Sequence, residues 1–265
     1  MADALKQVGS WELGVRSRKG QVTIFIIIGI VIVVAILSLV FLMGQDGDGV
    51  KPSDLEPRDI VVGCVRDVVE ESIDKMLRNG GEVLASQAIS YDGREWNYLC
   101  YQADFYKGCY NIHPMLEMQI EAEIVRDTQD EVQECFNTMR IDFEDRGFDV
   151  GGGPTEYSVN LLPEMVQISL SKRIDVSKEG ASQSFGNFDT EILTPIYELV
   201  QISMDVVNAE SQYCNFEYNG YMLLYPKYDI RRIDYSNSKI YRLVDRRSGA
   251  EFRFAVRSCA FAPGM

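Results

Sequence analysis

Residues 22–43 read VTIFIIIGIVIVVAILSLVFLM, a run of 22 residues without a charged side chain and with two hydroxyl groups, those of Thr23 and Ser38. As an α-helix rising about 1.5 Å per residue, this run is roughly 33 Å long, which matches the hydrocarbon thickness of a bilayer. We therefore predict a transmembrane helix over residues 21–44.

Two other interpretations of the apolar run are a buried core helix and the apolar part of a cleaved secretory signal. A helix this apolar on every side needs protein all around it to be buried in a core. Secretory signals have apolar regions of about 7 to 15 residues followed by a small-residue cleavage site, whereas this run is longer and ends FLMGQDGDG at residues 41–49. A membrane span fits the run better than either.

The charges that flank the run predict its orientation. Arg16, Arg18 and Lys19 precede it, and Asp46 and Asp48 follow it. Basic residues stay on the cytoplasmic side of a membrane, so residues 45–265 are expected outside the cell membrane. The predicted organisation is a basic cytoplasmic tail or leader (1–20), a transmembrane helix (21–44), a linker (45–56) and an extracytoplasmic domain (57–265).

The residues Lys19-Gly20-Gln21-Val22 resemble an archaeal class III signal peptide, the type cut by a prepilin peptidase after a glycine, and the N-terminus is similar to that of type IV pilins. The resemblance implies processing between Gly20 and Gln21. Two features depart from the pilin pattern and favour a retained anchor. Phe25 stands at the fifth mature position, where bacterial pilins carry a Glu, and a Gly-rich linker follows the helix where a pilin stem continues into the head.

The whole chain also resembles uncharacterised single-anchor surface proteins of small-genome archaea. The shared features are the KGQVTIFIIIGI-like start at residues 19–30, a VxxCV helix and a mixed domain that contains cysteines. This resemblance implies a location on the cell surface but no activity.

The composition excludes several classes of function. The chain has 26 Lys and Arg against 40 Asp and Glu, a formal net charge of -14, so polyphosphates are repelled and no nucleic acid is expected as a partner. His113 is the one histidine, too few for a two-histidine metal site or a supported Ser-His-Asp triad. No catalytic residue, metal or cofactor is predicted. An anchored envelope hydrolase is a weaker alternative, because no spacing of carboxylates marks a catalytic pair.

The six cysteines all follow the apolar run, and none forms a CxxC pair, so a disulfide framework is favoured over a zinc site. Apolar residues recur at helical spacing over residues 57–78 and 114–139. If these two helices pack antiparallel, Cys64 meets Cys135. Cys100 and Cys109 then close a small loop, which leaves Cys214 to pair with Cys259.

The remaining elements complete an α+β fold. Alternating apolar residues predict strands around 157–161 and 166–170, and the Gly151–Pro154 run before them is interpreted as a turn, since it lacks the frame of a phosphate loop. A third amphipathic helix is predicted over 190–212, followed by strands around 220–225, 238–244 and 251–257. The fold class is therefore α+β: helices and an antiparallel sheet, linked by disulfides, behind an N-terminal transmembrane helix.

Two groups of residues are candidates for interaction. An aromatic segment between the first two helices contains Trp96, Tyr98, Tyr101 and Tyr106. Aromatic side chains bury much area at a low entropic cost, which suits a recognition surface. The alternative is that they form a local core beneath the loop of residues 100–109.

The second group is basic. Residues 227–257 carry a net charge of +5, whereas the extracytoplasmic sequence before them carries -21. Opposite patches of this kind can join copies head to tail. The alternatives are a basic sheet face covered by acidic helices of the same domain, and contact with anionic surface polymers or lipid head groups. The candidates are Arg231, Arg232, Arg246, Arg247, Arg253 and Arg257.

These features predict a single-pass, membrane-anchored cell-surface protein with a structural role. It would be a filament or envelope-layer subunit that contacts the membrane and copies of itself or other envelope proteins. The alternative is a monomeric anchored adhesin or receptor that uses the aromatic segment or the basic face to bind a surface partner.

Overall fold

In a computed structural model of the protein, residues 19–43 and 56–262 are described. They belong to two compact units, divided between Val50 and Lys51. The predicted basic tail up to residue 18 and the predicted linker over 45–55 lie outside the described residues.

The first unit contains helix α1, Lys19–Met43. It confirms a helix in the apolar run, and its first turn includes Gly20 and Gln21, the predicted processing site. Side chains are described for residues 26–39, and all of these are exposed. The hydroxyl of Ser38 donates a 2.7 Å hydrogen bond to the carbonyl of Val34. Counting the described residues alone, no helix combines the length and the apolar character that a membrane span requires.

The second unit begins with two antiparallel helices, α2 (Pro57–Arg78) and α3 (Leu116–Asp145). Pro57 suits the first turn of α2, where its missing N–H has no partner to lose. The Cys64–Cys135 disulfide joins the start of α2 to the later part of α3, as predicted. Near the other end of α2, Lys75 Nζ lies 3.8 Å from Asp127 Oδ2. Helix α3 extends six residues beyond the predicted end at 139.

A six-stranded sheet packs against α2. Its strands are β1 (Ala88–Tyr91), β2 (Arg94–Tyr101), β3 (Tyr110–Asn111), β8 (Tyr228–Tyr235), β9 (Ser238–Asp245) and β10 (Glu251–Arg257). The order is β1-β2-β10-β9-β8, with β3 also paired to β2. Strands β10 and β2 run parallel and the other neighbours run antiparallel. The domain is α+β, as predicted, but it has two sheets, and this one is mixed.

The second sheet has four antiparallel strands. They are β4 (Asp149–Leu162), β5 (Met165–Lys178), β6 (Ala181–Asn187) and β7 (Thr190–Leu193), and β5 pairs with the other three. The prediction of a turn at Gly151–Pro154 was wrong, because these residues continue β4. The β4–β5 register shifts between Gly152 and Thr155. A bulge accommodates the one extra residue of β4 here, and glycines adopt its geometry at little cost.

Two other sequence predictions were wrong in part. The third helix, α4, is Ile196–Tyr213, and residues 190–193 form β7 instead of its first turn. Pro195 explains the boundary, since proline disfavours a helical conformation in the residue before it. The strand predicted around 220–225 is a short helix, α5, Tyr218–Leu224. The strand that pairs with β9 is β8, in which charged residues interrupt the apolar alternation.

The main core fills the space between the helices and the inner faces of both sheets. Phe252, Phe254 and Val256 of β10, the strand predicted around 251–257, are fully buried in it. A second, smaller cluster lies on the opposite face of the six-stranded sheet and consists of Trp96, Tyr98, Ile240 and Ala255. The Cys100–Cys109 and Cys214–Cys259 disulfides are also formed as predicted, with Cα–Cα distances of 5.4 and 5.7 Å.

Candidate interaction surface

Of the four predicted aromatic candidates, Trp96 and Tyr98 are buried, Tyr101 is half-buried and Tyr106 is exposed. Trp96 and Tyr98 are buried in the small cluster of the outer sheet face. Trp96 Nε1 donates a 3.1 Å hydrogen bond to the carbonyl of Tyr91, and Tyr98 Oη is 2.8 Å from Ser238 Oγ. Because both polar tips already have partners within the domain, these two residues support the local-core interpretation.

Three aromatic side chains beside this cluster are exposed. Phe105 and Tyr106 lie in the disulfide-closed loop and are 37% and 51% exposed, and Phe261 near the chain end is 68% exposed. The rings of Tyr106 and Phe261 are 5.9 Å apart, centroid to centroid, and those of Phe105 and Tyr106 are 6.4 Å apart. We call these three residues the aromatic rim. Exposed rings grouped in this way are typical of binding surfaces.

The loop that carries the rim is held rigidly. The Cys100–Cys109 disulfide closes it, and the backbone N–H of Tyr106 donates a 2.9 Å hydrogen bond to the carbonyl of Ala260. The backbone N–H of Cys259 donates a 2.7 Å hydrogen bond to the carbonyl of Lys107. Binding through this rim therefore costs little ordering entropy, which is the main benefit of preorganisation.

Gly108 explains how closely the loop approaches helix α4. A Cβ atom built on Gly108 would overlap the backbone carbonyl oxygen of Ser211, so no larger residue fits without movement of the backbone. The absence of a side chain at Gly108 thus lets the loop pack directly on the last turn of α4.

The arginines form a row across the sheet, but acids of the same domain neutralise them. Arg231, Arg242 and Arg253 are register partners on β8, β9 and β10. Arg231 Nε lies 3.0 Å from Asp229 Oδ2, while Glu251 forms ion pairs with both Arg242 and Arg253. Burial would raise the pKa of Glu251, but hydrogen bonds from these two arginines outweigh it and hold the pKa below its usual range.

Three further predicted arginines are paired as well. Their partners are Asp234 for Arg232 at 3.5 Å, Asp229 for Arg246 at 3.6 Å and Glu164 for Arg247 at 3.4 Å. These ion pairs agree with the alternative in which the basic face is neutralised within the domain, but the acids do not come from helices. The acids lie on the strands themselves or, for Glu164, in the turn between β4 and β5, because side chains on one sheet face approach one another directly.

Arg257 differs from the other predicted arginines. Its guanidinium carbon lies 5.6 Å from the ring centroids of both Tyr101 and Phe105, and it donates to the carbonyl of Gln102. In the described part of the chain no carboxylate lies within 4.0 Å of it. The two groups predicted separately from the sequence therefore meet here, as they do where Arg253 lies 5.8 Å from the ring of Trp96.

A pocket of about 540 Å³ opens next to the rim, between the end of α4 and the β8–β9 hairpin. Phe261 and Tyr235 line it together with Lys239 and Arg232. Phe261, Tyr235 and Lys239 were not among the sequence candidates. Phe261 adjoins Tyr106 because β10 pairs in parallel with β2, a long-range pairing that no local pattern reveals.

A buried charged network lies behind this pocket. Glu210 of α4 is fully buried, and it accepts hydrogen bonds from Tyr241 Oη at 2.5 Å and from Lys239 Nζ. Lys239 Nζ also donates to the carbonyl of Cys214, at 2.5 Å. Burial and the neighbouring Glu210 carboxylate together raise the pKa of Tyr241 far above its usual value. A buried carboxylate with these partners is fully compensated, so its role is structural.

The possible metal ligands and the one histidine of the described residues are accounted for within the domain. Nowhere in residues 56–262 do three His, Cys, Asp or Glu side chains converge as a metal site would require. His113 Nδ1 lies 2.9 Å from Gln119 Oε1, and its Nε2 lies 3.8 Å from Glu82 Oε1. Both ring nitrogens thus face residues of the domain itself.

Comparison with known proteins adds no family. No protein-family model, curated protein or solved structure matches this chain.

Proposed function

We propose that this protein is a membrane-anchored cell-surface protein that binds a partner rather than catalysing a reaction. Residues 21–44 hold it in the membrane, and the domain that follows lies outside the cell. The exposed, rigid aromatic rim is the observation that carries the binding function.

The apolar helix supports the anchor. Residues 22–43 contain no charge, and the described side chains at 26–39 are apolar and exposed on every side, apart from Gly29 and Ser38. Ser38 satisfies its hydroxyl on the carbonyl of Val34, as hydroxyls do in membrane helices. A helix that is apolar all round gains stability in lipid or in a protein assembly.

The disulfides support the extracytoplasmic location. All six cysteines are paired in the described domain. Disulfides persist in oxidising compartments and are rare where thiols are kept reduced. Together with the basic residues before α1, this pairing favours a domain on the outer side of the membrane.

The rim suits a macromolecular partner. Phe105, Tyr106 and Phe261 present aromatic area on a backbone that two hydrogen bonds and a disulfide hold in place. Arg257 lies against Phe105 with no carboxylate partner among the described residues, which adds a cation to the edge of the rim. Tyrosine and arginine are among the residues enriched at the hot spots of protein interfaces, and aromatic side chains in general bury a large contact area.

Photo-crosslinking in intact membranes tests this function. A photoreactive phenylalanine analogue replaces Phe105 or Phe261, and a matched control carries it at Leu193, an exposed position on the other sheet. We expect a discrete crosslink to a different envelope component from the rim positions and none from Leu193. Equal crosslinking from all three positions, or none from the rim, would reject partner binding by the rim.

A second candidate function is a subunit of a filament or an envelope layer. The all-round apolar surface of α1 favours it, because such a helix can pack in the centre of an assembly as well as in lipid. The intramolecular ion pairs of the arginines leave less free charge for head-to-tail contacts. Assembly predicts crosslinked multiples of the chain itself and long particles in electron microscopy. A pilin-like assembly also predicts a mature N-terminus at Gln21.

A further inference from the structure

A second pocket lies on the other side of the domain, between α3 and the bulge of β4. It has a volume of about 240 Å³. Gln133, Phe136 and Arg140 line it from α3, and Gly152 and Lys172 line it from the second sheet. No Asp or Glu is among its lining residues, although the chain contains 40 of them.

The two cations of this pocket have no acidic partner. Lys172 Nζ donates to Thr155 Oγ1 at 2.7 Å and to Gln133 Oε1 at 3.3 Å, and it lies 5.1 Å from the ring centroid of Phe136. Within residues 56–262, no carboxylate oxygen lies within 4.0 Å of Lys172 or Arg140. An ammonium group has three hydrogens to donate, so one of them remains for a ligand.

The electrostatics of the pocket favour an anion. Burial, followed by the positive charge of Arg140, lowers the pKa of Lys172. The two cations therefore repel each other in a partly desolvated site. A negative charge placed near both would relieve that repulsion and gain charge-assisted hydrogen bonds.

The β4 bulge provides the space. A Cβ atom at Gly152 would lie 3.3 Å from the carbonyl oxygen of Arg173, a tight contact, and 3.7 Å from Lys172 Cε, so a larger side chain here would fill space beside Lys172. Gly151 to Gly153 thus leave open backbone along one wall, while the half-buried Val150 supplies apolar surface.

We propose that this pocket binds a small organic anion. Its carboxylate or phosphate group contacts Lys172 and Arg140, and a compact apolar body lies beside Val150, along the Gly151–Gly153 wall. The site is separate from the aromatic rim and does not depend on the function proposed for it.

Titration of the full chain in detergent with benzoate and phenyl phosphate tests the site. Benzamide is the neutral probe of similar shape. Calorimetry measures the affinity, and spectra of protein labelled with ¹⁵N at its 21 glycines locate the site. We expect saturable binding of both anions and no binding of benzamide. The anions should also shift the signals of Gly151–Gly153, which are assigned with single Gly→Ala variants.

The variants make the test specific. Lys172→Met and Arg140→Gln should each weaken anion binding about tenfold or more, the usual effect of losing a charge-assisted contact. Arg173→Gln is the matched control, because Arg173 is adjacent on β5 but exposed and paired with Asp175 at 3.0 Å. Circular dichroism verifies the fold of each variant. Absence of saturable binding, or equal losses in Lys172→Met and Arg173→Gln, would overturn the proposal.

Discussion

Tyr241 Oη donates a 2.5 Å hydrogen bond to Glu210 Oε1, and both side chains are fully buried. Lys239 compensates the same carboxylate, and Ser258 Oγ donates a 2.7 Å bond to the carbonyl of Glu210. The network therefore links the end of α4 to β9 and to the segment that leads to Phe261. The rim thus owes its position to a buried polar network as well as to disulfides.

Removing one partner of this network should be costly. Lys239→Met leaves the Glu210 carboxylate buried without its cation, and we expect the free energy of unfolding to fall by about 3–5 kcal/mol. The double variant Glu210→Leu, Lys239→Met should recover most of the loss, because no uncompensated charge remains. Urea denaturation of the two variants and the wild type measures both values. A double variant no more stable than Lys239→Met would show that the loss does not come from the uncompensated Glu210 carboxylate.

Alkaline pH should destabilise the domain through Tyr241. The pKa of Tyr241 is raised by burial and by Glu210, so the folded state holds this proton more tightly than the unfolded chain, in which tyrosine ionises near pH 10. The stability that the protonated Tyr241 gives the folded state is fully present below about pH 10. It is lost progressively as the pH rises above that value. Tyr241→Phe should be less stable at pH 7 but lose less stability between about pH 10 and 11.5.

Tyr221 adds to the same effect, since burial and Asp205 raise its pKa too. Tyr241→Phe should therefore retain part of the alkaline slope, and a Tyr221→Phe change in the same chain should reduce it further. Urea midpoints across this pH range measure the slope. An identical slope in the wild type and Tyr241→Phe would contradict the assignment.

Gly81 should tolerate no side chain. Its φ is +93°, and a Cβ atom would lie 2.9 Å from Leu116 Cδ1 and 3.0 Å from Ile120 Cδ1, at the start of α3. Backbone strain and overpacking together predict a loss of about 2–4 kcal/mol for Gly81→Ala. Gly93 is the control, because its φ is +70° but nothing lies within 4 Å of the added atom. Gly93→Ala should lose about 1 kcal/mol, and equal losses would contradict the packing argument.

Gly108→Ala should loosen the loop that carries the rim. The added Cβ would overlap the carbonyl oxygen of Ser211, so the loop must move away from α4. Lys107 is exposed beside it, and we expect trypsin to cleave there several-fold faster than in the wild type. Gly186→Ala serves as the control, since its Cβ meets no atom within 4 Å. An unchanged cleavage rate in Gly108→Ala would show that close packing on α4 does not hold the loop.

Local patterns predicted α2 and α3 and, through their packing, the Cys64–Cys135 disulfide, but they began α4 too early and predicted a strand where α5 forms. The apolar spacing over residues 57–78 gave the bounds of α2, and antiparallel packing with α3 then placed Cys64 beside Cys135. These elements depend on side chains that repeat at short range. Because each helix buries one apolar face, that face determines where the helix begins and ends and which cysteines come together.

The interaction surface was predicted less completely, because long-range pairing builds it. Tyr106 meets Phe261, 155 residues later in the sequence, through the parallel β2–β10 pair, and no local pattern links the two residues. Glu210 was unremarkable in the sequence, since burial of a carboxylate becomes visible only with Lys239 and Tyr241 in place. The predicted Trp96 and Tyr98 proved to be local core.

The proposed function requires that the chain is anchored in the membrane and that its domain lies outside the cell. Tags placed before Met1 and after Met265 test it in cells that express the full chain, with antibody staining before and after permeabilisation and an alkaline carbonate wash of the membranes. We predict a C-terminal tag stained on intact cells, an N-terminal tag that is absent or stained only after permeabilisation, and a chain that resists the wash. A C-terminal tag hidden until permeabilisation, or a chain released by carbonate, would contradict the account.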